Sequence, residues 1–352
     1  MAKHAPRKPL KIGGVTVEPG ERATIDFPIP RLYTHSELDM PVHVIHARHD
    51  GPRLFVTAAL HGDELNGVEI IRRLLRSPVL RKLRGTLIAI PIVNVHGCIQ
   101  RSRYLPDGRD LNRAFPGSHT GSLAARLAYL LMSQILVGCD FGVDLHTGSR
   151  HRANLPQIRA CMDDARTLQL ARIFGVPVII DANLRDGSLR QAVWEQGTPV
   201  LIYEAGEALR FDELAVRGGL NGVTAVMAEI GMLPPTSKKK RPVVEPMLAR
   251  STSWLRAPAS GILRAIAALG AKVKKGETLG FVGDPFGENE AAVIAPADGV
   301  IIGRTNLPLV YEGEALFHQA RFAKDAPVEE AVEAFQAELD PELVDKSEPS
   351  IT

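Results

Sequence analysis

Apolar runs and helical spacing alternate along the chain between residues 54 and 231. Residues 54–60 (Leu-Phe-Val-Thr-Ala-Ala-Leu) and 86–93 (Thr-Leu-Ile-Ala-Ile-Pro-Ile-Val) are almost continuously apolar, as in strands of a sheet that is covered on both faces. Apolar residues recur with helical spacing over 64–75. The same criteria predict helices at 122–136, 165–174, 189–195 and 214–231, and strands at 141–145, 176–180 and 199–203. This order predicts an α/β domain over residues 1–233, with a mostly parallel sheet and flanking helices.

The segments around this region have a different texture. Residues 1–50 alternate apolar and polar positions with frequent proline, and predict short N-terminal β segments. Residues 234–245 carry prolines around a Lys-Lys-Lys-Arg run, which favours a solvated linker over a nucleic-acid patch. Residues 150–160 and 181–190 are expected to be loops that shape a pocket. Residues 323–352 form an acidic tail, with helical spacing over 327–339.

An internal repeat occupies residues 246–322. Ala-Pro-Ala-Ser-Gly-Ile-Leu at 257–263 matches Ala-Pro-Ala-Asp-Gly-Val-Ile at 295–301, and each copy is followed by a Gly-Glu-x-Leu motif. Two similar β units that stack or interleave are therefore expected. The pattern resembles the biotinyl/lipoyl carrier fold, a small all-β barrel-sandwich. A carrier needs a lysine between the two halves, and residues 276–303 contain none, so a structural or lid role is favoured.

Composition narrows the class of protein. The net charge of +2 over 352 residues is too balanced to argue for a nucleic-acid or membrane surface. It combines −7 from residue 324 onward with +9 before it. Three cysteines without paired spacing argue against a disulfide framework and fit a cytoplasmic location. No apolar run approaches the roughly 18 residues that a membrane span needs.

Candidate metal ligands follow two of the predicted strands. His61 and Glu64 lie three residues apart where the first buried strand gives way to a helix, so both side chains can face one point. His146 ends the strand at 141–145, and Asp144 points to the same side two residues earlier, where it can accept the other imidazole N–H. Two histidines and a glutamate form the three-ligand set of a catalytic zinc. The competing interpretation of His-x-x-Glu alone is a helix cap made by Asp63 or Glu64.

Two further segments suggest the rest of a hydrolytic site. Glu204 ends the strand at 199–203 and could serve as the general base for a water, with Glu207 as a weaker competitor beyond Gly206. Residues 101–113 contain four arginines together with Asp and Asn. Arginine forks bind carboxylates and stabilise oxyanions, so this loop favours substrate binding over a merely solvated surface.

Taken together, these motifs resemble the succinylglutamate desuccinylase/aspartoacylase family of the zinc carboxypeptidase clan, over roughly residues 40–230. The resemblance implies one zinc ion per chain, held by His61, Glu64 and His146. It also implies that Glu204 acts as general base and then acid and that Arg103 polarises the scissile carbonyl. Asn112 and Arg113 would bind a substrate carboxylate. The spacing leaves open whether Arg103 or Arg109 faces the carbonyl.

One position departs from aspartoacylase itself. An arginine that aspartoacylase has ten residues before its catalytic glutamate is replaced here by Trp194, and the nearest arginines are Arg190 and Arg185. N-acetylaspartate specificity is therefore not implied. The expected function is zinc-dependent hydrolysis of a linear amide, with a small N-acyl amino acid as substrate. No nucleic-acid or membrane partner is expected, and a homo-oligomer is compatible with the sequence. The alternatives are a metallocarboxypeptidase that trims peptides and a non-catalytic binding protein.

Overall fold

The computed structural model of the protein describes residues 7–235, 246–249, 251–322 and 327–339. Its strands in the first part of the chain are β1 (Leu10–Ile12), β2 (Val15–Val17), β3 (Glu21–Ile29), β4 (Leu38–His46), β5 (Arg53–Ala58), β6 (Thr86–Ile90), β7 (Phe141–Gly148), β8 (Arg152–Ala160), β9 (Val178–Asp181) and β10 (Val200–Glu207). The later strands are β11 (Met247–Ala249), β12 (Ser251–Arg256), β13 (Gly261–Ala265), β14 (Lys272–Val273), β15 (Thr278–Gly283), β16 (Glu290–Ile294), β17 (Gly299–Thr305), β18 (Leu309–Val310) and β19 (Ala315–Arg321). The α-helices are α1 (Asn66–Arg76), α2 (Val95–Gln100), α3 (Leu123–Leu130), α4 (Ala165–Phe174), α5 (Leu189–Trp194), α6 (Glu213–Glu229) and α7 (Val328–Leu339).

The centre of the main sheet consists of four parallel strands in the order β10-β7-β5-β6. Strands β4 and β3 continue it antiparallel on one side, and β8 pairs antiparallel with β10 on the other. The sheet is therefore mixed, with a parallel core, and the predicted α/β class is confirmed. The N-terminal β segments supply one of its edges.

Both faces of this sheet are covered, as the continuously apolar strands require. One core joins the strands to α1, α4 and α6, and contains Leu54, Ile70 and Leu74. The other face packs against α3 and α5 through Phe55, Leu127 and Leu189. Burial of each such side chain contributes about 1.5–3 kcal/mol, which explains why these runs form the interior.

Most predicted elements of this region lie where the sequence indicates, but residues 150–160 do not form the expected loop. They contain β8, which lies between β10 and β17 and also pairs with β9. The sequence pattern did not identify this strand, because polar residues on it, including Asn154 and Gln157, are buried and interrupt the run of apolar residues. The Asn154 side chain, for example, donates a hydrogen bond to Glu204 instead of joining an apolar core.

The repeat forms two interleaved four-stranded units. One is β16-β15-β13-β18, and the other is β12-β19-β17 with β14 beside β17. Each unit borrows a short strand from the other half of the repeat, and their facing side chains form a common apolar core. The second unit also joins the main sheet, because β17 pairs with β8.

Helix α7 covers most of the segment for which helical spacing was predicted. The predicted linker lies almost wholly outside the described residues, as does the end of the acidic tail. Among the helices that the structure describes, none is long and apolar enough to cross a membrane.

Candidate metal and catalytic site

The first two candidate ligands lie in the turn between β5 and α1. His61 and Glu64 are 3% and 1% exposed, and His61 Nδ1 is 2.8 Å from Glu64 Oε1. The turn packs tightly against α2: a Cβ on Gly62 would lie 2.0 Å from the carbonyl carbon of Gly97. Only glycine fits between the two ligands without displacing that helix.

The helix-cap alternative for this motif is not observed. The N-cap position of α1 is Leu65, and no side chain caps the helix there. The Glu64 carboxylate instead turns toward the histidines. The buried Glu64 carboxylate therefore interacts with the histidines and does not cap the helix.

The third candidate ligand is on β7. His146 Nδ1 is 2.7 Å from Glu64 Oε2, and His146 Nε2 is 2.8 Å from Asp144 Oδ2. The other Asp144 oxygen accepts a 2.7 Å hydrogen bond from the Thr57 hydroxyl on β5. Asp144 thus contacts the His146 ring from behind, and Thr57 in turn holds Asp144.

His61, Glu64 and His146 form a candidate metal site. One ligand atom from each lies within 4.8 Å of the others, and all three residues are buried. Both imidazoles present Nδ1 toward the same carboxylate. This donor set fits a divalent metal of the zinc type. The His61–Glu64 pair meets the distant His146 here because parallel strands present their carboxyl ends at one edge.

Electrostatics at the cluster favour a bound cation. Burial opposes the charge on Glu64, but the two imidazoles more than offset it and hold the pKa of that carboxyl far below its usual range. Burial likewise opposes protonation of His146, yet Asp144 and Glu64 raise its pKa well above the usual value. The buried carboxylates therefore need positive charge close to them, which either protonated imidazoles or a metal ion can supply.

Glu204 lies beside this cluster on the neighbouring strand. It is the register partner of His146 across the β10–β7 ladder, and its side chain is 18% exposed. Asn154 Nδ2 donates a 2.7 Å hydrogen bond to Oε2, and Arg159 Nε is 3.1 Å from Oε1. Both partners are on β8, the strand that the sequence did not reveal.

Glu207, the competing candidate, has a different environment. The ladder shifts register between Glu204 and Glu207, and Gly206 between them has φ +71°. Glu207 accepts a 2.8 Å hydrogen bond from Asn306 and lies 3.7 Å from Arg210. Glu207 is thus engaged by the β17–β18 connection, whereas Glu204 faces the strands that carry the cluster.

Among the contacts of the described residues, Arg103 is the only arginine of the 101–113 loop that reaches the cluster. Its Nη1 is 3.3 Å from Glu64 Oε1, and its Nη2 is 3.1 Å from Asp110 Oδ2. Asp110 also lies 3.3 Å from His61 Nε2. Asp110 belongs to the loop motif but was assigned no role in the site, because only the folding of the loop brings it to the histidine.

The other loop candidates separate into two groups. Asn112 is buried, and its Oδ1 accepts a 2.9 Å hydrogen bond from the Leu189 amide at the start of α5, which leaves its Nδ2 as a donor. Arg113 is exposed beside it, and its guanidinium donates to the Asn112 carbonyl. Arg109 does not join them: its side chain is 64% exposed and pairs with Asp107 at 3.4 Å. The predicted substrate contact of Arg109 therefore has no support from its position.

Trp194 lies away from these groups. It lines a surface depression with Pro52, Phe141 and Pro199, at the opposite ends of the strands from His61 and His146. Because Trp194 is remote from the cluster, having this residue in place of an arginine does not change the surroundings of the metal ligands. Arg190, by contrast, is buried at the start of α5.

Comparison with known proteins identifies the family to which this chain belongs. Residues 50–230 match the model of the succinylglutamate desuccinylase/aspartoacylase catalytic domain. The chain belongs to this family. Within it, the chain is 28% identical over 282 residues to the N-alpha-acetyl-L-2,4-diaminobutyric acid deacetylase of Halomonas elongata, which covers 75% of this chain and 80% of the relative. It is 30% identical over 134 residues to a succinylglutamate desuccinylase of Pseudomonas aeruginosa, covering 37% and 40% of the two chains.

Solved structures share the fold over most of the chain. A succinylglutamate desuccinylase/aspartoacylase from Rhodobacter sphaeroides superposes with a TM-score of 0.76 at 26% identity, covering 86% of this chain and 96% of that one. The product-bound ectoine utilization protein EutE (DoeB) from Ruegeria pomeroyi has a TM-score of 0.78 at 22% identity, covering 90% and 98%. The latter likeness is one of fold.

Family membership and the His-Glu-His cluster together define the reaction class. The protein is an amidohydrolase that deacylates linear amides. This confirms the expected reaction class, and the peptidase and non-catalytic alternatives lose their support.

Proposed function

We propose that the protein is a zinc-dependent deacylase that hydrolyses the amide bond of a small N-acyl amino acid. The observation that carries the proposal is the His61–Glu64–His146 cluster with Glu204 in register beside it. The Halomonas elongata relative is named for an N-acyl amino acid substrate, which supports the same substrate class here.

The three clustered residues would hold the zinc ion, with Asp144 keeping the His146 ring in place. Zinc supplies Lewis acidity, which lowers the pKa of a water molecule and polarises a carbonyl oxygen. The ligand set suits this role because all three residues are buried and their ligand atoms lie within 4.8 Å of one another. Thr57 completes the support through its hydrogen bond to Asp144.

Glu204 would accept the proton of the attacking water and then donate it to the leaving amine. Its carboxylate is held on both oxygens, by Asn154 and Arg159, so its orientation is defined before substrate enters. Arg103, which already lies against Glu64, would donate to the oxyanion that develops on the carbonyl oxygen. Asn112 and Arg113 would bind the carboxylate of the amino acid.

A substrate panel tests the proposal. Purified protein is loaded with zinc and incubated with N-acetyl and N-succinyl amino acids, and the release of free amine is followed. We expect turnover by the wild type, and neither turnover nor stoichiometric zinc in His61→Ala. Zinc-loaded wild-type protein that releases no amine from any N-acyl amino acid would refute the proposed substrate class.

A further inference from the structure

The large apolar side chains that remain exposed are concentrated in the C-terminal β units. Among the described residues, seven of the sixteen exposed ones lie between residues 262 and 311. Single apolar side chains on a surface are ordinary, but a contiguous group of them marks a place where another surface binds. The strand register shows that most of this group is contiguous.

The exposed apolar residues share the outer face of the sheet β16-β15-β13-β18. Ile262 is opposite Leu309 across the β13–β18 pair, and both side chains are exposed. Ile266, directly after β13, and Ile294, at the end of β16, are exposed on the same face. The adjacent positions on these strands belong to the core between the units: Leu263, Val293 and Val310. An antiparallel sheet that faces water normally carries polar residues at its outward positions, so this face is unusually apolar.

The centre of the face holds an aromatic ring and an ion pair. Phe281 on β15 lies opposite both Arg264 and Ala292. The Arg264 guanidinium is 4.8 Å from the centroid of the Phe281 ring, and its Nη2 is 3.5 Å from Glu290 Oε2. Arg264 and Glu290 are the charged residues at the outward positions of these four strands, and their charges cancel. The face therefore offers no surplus charge to a nucleic acid or an anionic membrane surface.

Two exposed aromatic side chains stand at one end of this sheet. Phe286 is at the tip of the β15–β16 hairpin, and Tyr311 directly follows β18. The Asp284 carboxylate braces the hairpin, since it accepts hydrogen bonds from the amides of Phe286 and Asn289 at 2.9 and 3.0 Å. An aromatic residue on a braced turn loses little further freedom on binding. Such residues often dominate the affinity of an interface.

The size of this surface matches one side of a stable protein dimer. Six residues, each between 44% and 85% exposed, form the C-terminal apolar patch: Ile262, Ile266, Phe286, Ile294, Leu309 and Tyr311. At about 200 Å² for each large side chain when fully exposed, their exposed fractions correspond to roughly 700 Å². A standard interface buries about 800 Å² on each partner. Dimers with two-fold symmetry bring the same patch of both copies together and are the commonest soluble oligomers.

From these observations we infer that the C-terminal apolar patch is the interface of a homodimer, in which it packs against the same patch of a second copy. A second copy fits because the patch is apolar, neutral overall and of the size that a stable dimer needs. The β units then serve assembly, which agrees with the absence of a lysine from residues 276–303. The inference is independent of the proposed function, because no residue of the patch belongs to the metal and catalytic site.

Analytical ultracentrifugation of the full-length protein tests the interface. Interfaces of standard size have dissociation constants in the micromolar range or below, so the wild type should be a dimer at about 10 μM. Leu309→Glu would bury an unpaired charge in the contact and should be a monomer at the same concentration. Phe286→Ser alters only an exposed hairpin tip and should raise the dissociation constant about 30-fold or more. The control Val137→Glu changes a similarly exposed apolar residue of the catalytic domain and should remain a dimer.

Three results would overturn the inference. The first is a wild type that is monomeric at this concentration. The second is a dimer that persists unchanged in both Leu309→Glu and Phe286→Ser, because it would form through another surface. The third is loss of the dimer in Val137→Glu as well, because the effect of a new charge would then not be specific to the patch.

Hydrogen exchange locates the interface along the chain. The amides of residues 284–289 should exchange more slowly in the wild-type dimer than in monomeric Leu309→Glu. The amides of helix α6, which lies in the catalytic domain, should exchange at the same rate in both proteins. Equal exchange of the hairpin in the two proteins would also overturn the inference.

Discussion

Replacing Asp144 should weaken metal binding without touching a metal ligand. Both oxygens of the carboxylate are used, Oδ1 by the Thr57 hydroxyl at 2.7 Å and Oδ2 by His146 Nε2 at 2.8 Å. In Asp144→Asn the amide oxygen can still face His146, because the Thr57 hydroxyl can accept from the new NH₂ group. Only the charge assistance is lost. In Asp144→Ala the buried Nε2–H has no acceptor at all.

The size of the two effects follows from this difference. Loss of a partner behind a ligating histidine typically costs 10- to 100-fold in metal affinity. We therefore expect about tenfold weaker zinc binding for Asp144→Asn and about 100-fold for Asp144→Ala, or roughly 1.4 and 2.8 kcal/mol. Thr57→Val is the matched control, since it removes the neighbouring hydrogen bond but leaves the His146 contact. Its effect should be threefold or less, on the order of half a kcal/mol.

Competition with a chromophoric chelator measures these affinities directly, and circular dichroism checks that each variant is folded. The order wild type, Thr57→Val, Asp144→Asn, Asp144→Ala is the expected ranking of affinity. If Asp144→Ala binds zinc as tightly as the wild type, then Asp144 does not support His146 in the metal-bound protein.

Two further predictions concern carboxylates that are held by neighbouring polar side chains. Asn154→Ala removes the 2.7 Å hydrogen bond to Glu204 and should lower kcat about tenfold at unchanged zinc content. The control Asn306→Ala, which removes the corresponding bond to the neighbouring Glu207, should retain activity, and equal losses would contradict the positioning argument. Glu213 accepts hydrogen bonds from Arg73 and Arg217, which hold its pKa at about 2, so its charge stabilises the fold above pH ~4.5 and progressively less as the pH falls toward 2. Because the pair is partly exposed, Glu213→Gln should lower the free energy of unfolding by at most about 1 kcal/mol at pH 7. Urea titrations should show this difference shrinking below pH ~4.5, and a difference that is independent of pH would contradict the ion-pair explanation.

The metal cluster was predictable because its signals are local. His61 with Glu64, and Asp144 with His146, each follow a continuously apolar run, and such strands have few alternatives to a buried parallel sheet. Topology then brings the ends of β5 and β7 together. Short-range motifs at strand ends therefore carried most of the information about the ligands.

The partners of Glu204 were not predictable, because no local signal in the sequence marks them. Asn154 and Arg159 are on β8, whose buried polar residues break the apolar pattern that identifies a central strand. They are about fifty residues from Glu204 in sequence, and nothing local links them. Asp110 likewise reaches His61 only through the folding of its loop.

The attachment of the C-terminal β units to the main sheet also could not be predicted from the sequence. The repeat indicated two similar halves, and the structure shows them interleaved through β14 and β18. The repeat could not show that β17 pairs with β8 and so continues the main sheet. Pairing between distant strands depends on backbone hydrogen bonds, which leave little trace in side-chain pattern.

Metal binding is assigned to His61, Glu64 and His146, and proton transfer to Glu204. The direct measurement is zinc content and kcat for Glu204→Gln, with Glu207→Gln as the neighbouring control. We expect Glu204→Gln to bind one zinc ion per chain and to lose at least about 100-fold in kcat, and Glu207→Gln to keep both properties. A Glu204→Gln protein that binds zinc and turns over its N-acyl amino acid at the wild-type rate would contradict the central claim.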